Sequence, residues 1–174
     1  PREHDLLLLS GRSEDSVAEL LIQAEAMGMK VYAGIPTATP NPSYPWEVWS
    51  EADGLCLELV DRVLADYAVR HGSLASFAGI YQSTELPISD PTVSSVLDWY
   101  TASNERVRQR LPGRTILVSP YMDLRRDAPT GVTLESLAGG FKEIARTAMD
   151  VIAPQDSRGT GKIGLYWPYA EDSP

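Results

Sequence analysis

Three acidic residues stand a few positions beyond short apolar runs, a placement that suits general acid–base chemistry on a bound ligand. Glu85 follows Ala78-Gly79-Ile80-Tyr81 through Gln82-Ser83-Thr84. A carboxyl group at the top of a sheet is partly buried, and burial favours the protonated form that a general acid needs. The competing reading is a helix N-terminal carboxylate, balanced by the helix dipole or a lysine. Asp156 closes Val151-Ile152-Ala153-Pro154-Gln155-Asp156. A Gln-Asp pair directly after a strand has little structural purpose, although an Asp before Ser157 also makes an ordinary turn. Asp123 lies beyond Ile116-Leu117-Val118, in a stretch where Arg125 and Arg126 supply counter-charge. Glu85 and Asp156 are therefore the catalytic candidates.

Around them are groups able to hold a hydroxylated ligand. Tyr81, Gln82, Tyr121, Asp123, Gln155 and Trp167 are the binding candidates, with Trp46 and Tyr169 in neighbouring loops. Aromatic faces mixed with carboxylates and amides suit sugar rings, which are apolar on one side and hydroxylated at the edges. For any single aromatic, packing is the plainer explanation. As a set, these residues describe a ligand cleft.

Other chemistries lack their residues. Gly159-Thr160-Gly161-Lys162 has the look of a phosphate loop, but Asp156 replaces the required earlier glycine and Ile163 the Ser or Thr. His4 and His71 are isolated, which leaves little for a His-based metal site or a Ser-His-Asp triad. Nothing supports an all-oxygen cation site, and no cofactor is expected. Cys56, the lone cysteine, lies in Leu55-Cys56-Leu57 and reads as a small buried hydrophobe. A formal charge of −9 over 174 residues argues against a nucleic-acid partner, which needs a basic face. No apolar run is long enough to span a bilayer.

The candidates need strands to hold them, and the chain supplies a rhythm. Short apolar runs alternate with stretches of helical spacing, as in parallel βα units whose strands are buried on both faces. Strands are predicted over 5–10, 30–35, 74–81, 115–119 and 151–153, and helices over 14–27, 47–71, 90–110 and 133–149. Ser13 and Ser16 offer caps for the first helix, Gly28 stops it, and Pro87 to Pro91 reads as a loop. The fold class is α/β, of (β/α)8 TIM-barrel type. About five parallel strands do not close a barrel, which takes eight. With Pro1 opening the chain and no signal-peptide pattern, residues 1–174 are expected to be one domain, the central part of a larger barrel. The missing strands or a second chain would then cover the open edges.

Four segments carry a resemblance: Ala26-Met27-Gly28-Met29-Lys30-Val31-Tyr32-Ala33-Gly34-Ile35, Gly79-Ile80-Tyr81 through Glu85, Ser119-Pro120-Tyr121, and Asp150 through Asp156. In this order the chain resembles a bacterial family of glycosidase-like TIM barrels known as domain of unknown function 4434. It departs from that pattern at Ile80, where a tryptophan is expected, and at Ser157-Arg158, which replaces a Gly-containing continuation. The resemblance implies a secreted or cell-envelope, carbohydrate-active protein. It also implies that Glu85 ends the fourth barrel strand, where retaining glycosidases of this architecture carry the acid/base. Their nucleophile ends strand seven, beyond Pro174. Two alternatives stay open: a saccharide-binding barrel without catalysis, and a wound α/β sheet that binds a small metabolite. The wound sheet would carry helices on both faces; a barrel segment carries them on one.

Overall fold

The computed structural model describes residues 15–37, 53–88, 94–122 and 133–155. Helix α1 (Ser16–Ala26) is capped by Asp15, whose carboxylate accepts the Ala18 N–H at 2.9 Å. Asp15 takes the place expected for Ser13 or Ser16. Gly28, at φ +68°, turns the chain into strand β1 (Val31–Gly34). Helix α2 (Asp53–His71), strand β2 (Phe77–Gln82), helix α3 (Ser94–Arg110) and strand β4 (Thr115–Val118) follow. Helix α4 (Leu134–Arg146) opens on a capping box between Thr133 and Ser136 and leads to β6 (Val151–Ile152). Two very short strands complete the set, β3 (Pro87–Ile88) and β5 (Tyr121–Met122). The expected strand over 5–10 and the tail beyond 155 lie outside the described residues.

The main sheet runs β1–β2–β4–β6, and every pairing is parallel. Spatial order thus follows chain order with no reversal. A doubly wound sheet must reverse at its switch point, whereas a barrel steps always in one direction. Because parallel crossovers are right-handed, steps in one direction place the helices on one side. The four strands with their helices are part of a (β/α) barrel. The wound-sheet alternative does not fit.

The core lies between strands and helices. Leu21, Val60, Leu64, Val96 and Val107 from the helices meet Ile80, Ile116 and Val118 from the strands, with Ile144 of α4. All nine are fully enclosed, and Cys56, half-buried, packs against the cluster.

Charge is spent at the amino ends of the strands. Arg108 donates to the carbonyls of Arg114 (2.9 Å) and Ala148 (3.0 Å) and to Asp150 (2.7 Å), which also accepts the Ile116 N–H at 2.7 Å. Arg114 donates to the carbonyls of Gly72 and Phe77 and lies over the Phe77 ring. Glu25 accepts the N–H groups of Ala75 and Ser76, and Lys30 donates to the Ala75 carbonyl. On the helical face, Asp61 of α2 receives a two-point contact from Arg110 of α3 at 2.9 and 2.5 Å.

These ion pairs set an acid limit. The Arg110 hydrogen bonds hold Asp61 below its ordinary value of 3.8, with burial opposing and the charges of Arg110 and Arg106 adding. For Asp150, burial pushes upward but is outweighed by the Arg108 hydrogen bond, the Ile116 N–H and the Arg108 charge, so it too lies low. A folded value below the unfolded one stabilises fully above the unfolded value and fades as pH falls through the folded one. Melting temperature should therefore hold steady down to about pH 5 and then decline as the pH falls further. Asp61→Asn should melt lower at neutrality and show a shallower acid decline. Thermal melts across that range check both.

Candidate functional site

Beyond the main sheet the chain forms a second tier. After Gln82, residues Ser83 to Leu86 lead into β3, which pairs in parallel with β5 (Pro87 with Tyr121, Ile88 with Met122). The Tyr121 N–H donates to the Leu86 carbonyl at 3.0 Å, and the Gln155 N–H to the Pro120 carbonyl at 2.9 Å. Tyr121 also bridges to Gln155 in parallel sense. The order of β2, β4 and β6 is thus repeated at their carboxyl ends by β3, β5 and Gln155. Proline is tolerated as the first residue of β3, where its missing N–H costs least.

This tier brings Glu85 and Gln155 together. The Gln155 amide nitrogen donates to Glu85 Oε1 at 3.3 Å and to the Ser119 carbonyl at 2.8 Å. The Ser119 carbonyl is a pure acceptor, so the amide must present its nitrogen there and not its oxygen. Ser119 Oγ in turn donates to the Ala153 carbonyl at 2.7 Å. Tyr81 completes the group. Burial first, then the negative charge of Glu85, raise its hydroxyl above the ordinary tyrosine value, and a hydrogen bond with Ser119 works the other way. A tyrosine so placed stays protonated at neutral pH and can donate to a ligand. Glu85, Tyr81, Ser119, Tyr121 and Gln155 are all half-buried, so each keeps some surface open.

Gln82 is not among them. It is 1% exposed, and its amide nitrogen reaches Ser103 Oγ at 2.8 Å and Asn104 Oδ1 at 2.5 Å on α3. Neighbouring strand residues point to opposite faces, so Gln82 turns into the helical layer while Tyr81 faces away from it. The structure thus places it against α3 and does not bring it to the Glu85 group. Asp156, Asp123 and Trp167, like Trp46 and Tyr169, lie outside the described residues.

A single carboxylate at a strand end, held by an amide and flanked by a neutral tyrosine, can bind a hydroxylated ligand and exchange a proton with it. Among the described residues no group of three His, Cys, Asp or Glu is placed to hold a metal ion. Nor is any described helix long and apolar enough to cross a membrane. A groove on the helical face, lined by Asp61, Arg62, Asp66, Val69, Arg70 and Arg110, is a surface of ion pairs remote from the strand ends.

The family model described as Domain of unknown function (DUF4434) matches residues 4–166. The chain belongs to this family. Among solved structures, the DUF4434 chain is similar to a Bacteroides thetaiotaomicron protein titled a "putative alpha-L-fucosidase", with 24% identity and a TM-score of 0.63. That match covers 87% of the DUF4434 chain and 47% of the other, so the chain spans about half that protein's length. An intracellular xylanase from Thermoanaerobacterium saccharolyticum matches at 10% identity and a TM-score of 0.44, over 80% of this chain and 57% of that one. No curated protein matches. The likeness at 0.63 bears on fold, and it agrees with the one-directional sheet described above.

Two features of the DUF4434 site escaped the sequence reading. Ser119 was visible only as part of a strand-end cluster, and its carbonyl proves to be the second anchor of the Gln155 amide. The β3–β5 pair gave no signal, because two residues are too few to show a period.

Proposed function

We propose that this chain is the central part of a glycoside-hydrolase-like barrel, with Glu85 as the general acid/base. In the first step the Glu85 carboxyl gives its proton to the glycosidic oxygen as the bond from the sugar carbon to that oxygen breaks and a second, nucleophilic carboxylate from the further strands bonds to the sugar carbon. The alcohol departs, and the Glu85 carboxylate then takes a proton from the water that displaces that second carboxylate. Tyr81 and Tyr121 would bind the sugar, Gln155 would steady the carboxylate, and Asp156 would be the next carboxylate along the rim. Asp123 and Trp167 would add ligand contacts. The reading includes residues 1–174 as one domain, further strands or a second chain over any open sheet edges, and a secreted or envelope location.

One observation carries it: the carboxylate of Glu85 stands at a parallel strand's carboxyl end, touched by the Gln155 amide at 3.3 Å. Carboxyl ends of barrel strands are where catalytic side chains of this architecture gather. Sugar hydrolysis further requires a second carboxyl about 5–5.5 Å away for retention or about 6.5–9.5 Å for inversion.

The test is a panel of 4-nitrophenyl glycosides, α-L-fucoside and β-xyloside included, together with a glycan array, applied to the whole protein. Turnover of at least one glycoside is the expected result. Glycan binding without turnover would favour the non-catalytic barrel, and neither binding nor turnover would defeat the saccharide reading altogether.

A further inference from the structure

The backbone is anchored on both sides of Glu85. On one side the Leu86 carbonyl accepts the Tyr121 N–H at 3.0 Å. On the other, the Thr84 carbonyl accepts the Tyr100 hydroxyl of α3 at 2.5 Å. Peptide groups are planar, so fixing the Thr84 carbonyl also fixes the Glu85 nitrogen bonded to it. The direction in which the Glu85 side chain leaves the backbone follows from that plane.

Tyr100 is fully enclosed, and Thr84 is 1% exposed. Burial foremost, with the neighbouring Tyr81 and Glu85 adding, pushes the Tyr100 hydroxyl far above its ordinary value, so it remains a donor throughout the working range. The same face of α3 carries Ser103 and Asn104, three and four positions on. They receive Gln82, and Asn104 also donates to the Thr147 carbonyl at 2.7 Å, just ahead of β6. The helix therefore touches both the strand that leads to Glu85 and the approach to the strand that leads to Gln155.

We propose that Tyr100 is a positioning residue for Glu85, acting through the Thr84 carbonyl from behind the sheet. This rests on the reading of Glu85 as the reacting carboxyl. A phenyl ring alone would fill the same core space, so the hydroxyl is the part that aims the site. Misplacing a reacting group by as little as one ångström costs on the order of a hundredfold in rate.

The experiment compares Tyr100→Phe with Ser76→Ala in the whole protein. Ser76 is equally buried, and its hydroxyl donates to the Leu21 carbonyl at the opposite end of the same strand. Tyr100→Phe should lower kcat by about ten- to hundredfold, with KM changed by less than about twofold. Ser76→Ala should melt at a lower temperature but keep its kcat. A second readout needs no turnover: the side-chain amide resonance of Gln155, assigned through its loss in Gln155→Met, should move in Tyr100→Phe and stay in place in Ser76→Ala. An unmoved resonance, or an unchanged kcat in Tyr100→Phe, overturns the proposal. Absence of turnover in the unmodified protein counts against the acid/base reading instead, and the resonance then decides the positioning question alone.

Discussion

Glu85→Gln in the whole protein is expected to lower kcat by about a thousandfold on glycosides with poor leaving groups. The substitution keeps the shape and an oxygen that can accept the Gln155 amide, which lies 3.3 Å from Glu85 Oε1. Folding should therefore survive, and the melting temperature should shift little. What disappears is the proton. An alkoxide-like leaving group cannot depart without one, whereas dinitrophenolate can, because its own acid is already strong. A dinitrophenyl glycoside should accordingly lose only about tenfold or less in kcat/KM, which reports that first step alone. The contrast between the two substrates is the diagnostic quantity, and steady-state kinetics on both supplies it. Equal losses would point to a binding or nucleophilic carboxylate, and full activity on both would remove Glu85 from the chemistry.

How much of this could be read from residues alone depended on pattern length. The strands β1, β2, β4 and β6 appeared as short apolar runs, most fully enclosed in β2 and β4, and the helices between them showed their spacing. The meeting of Glu85 with Gln155 was foreseeable in kind, since both stand at strand ends of one parallel sheet. Polarity near a strand end does not by itself point a side chain into the cleft. Alternation decides instead, and it sends Gln82 toward Ser103 and Asn104. Tyr100, Ser103 and Asn104 were invisible for the converse reason. Polar residues on a helix resemble a solvated face until the partners that bury them are known, and here those partners come from β2, the Thr84 carbonyl and the turn before β6.

The scaffold beneath the site can be challenged through Gly79. It lies mid-strand in β2, opposite Tyr32 on one side and Thr115 on the other. A Cβ built there would sit 1.9 Å from the Thr115 carbonyl oxygen and 2.8 Å from the carbonyl carbon. Both obstacles are backbone, so no side-chain rotation relieves them. The strands would have to part, opening the ladder that runs from Gly79 to Gln82 and shifting the segment that carries Glu85. Gly79→Ala should cost about 3 kcal/mol or more, beyond the usual range for a single added methyl group. A chain of this size then melts roughly 10 °C lower. Gly54→Ala is the internal control, because Gly54 lies in α2 with open space where a Cβ would go. There the methyl group should stabilise by up to roughly 0.5 kcal/mol, less than inside a helix because Gly54 is only the second residue of α2. Thermal melts of the two variants should thus move in opposite directions. If Gly79→Ala instead melted with the unmodified protein, β2 and β4 could not be in the register that sets Glu85 beside Gln155.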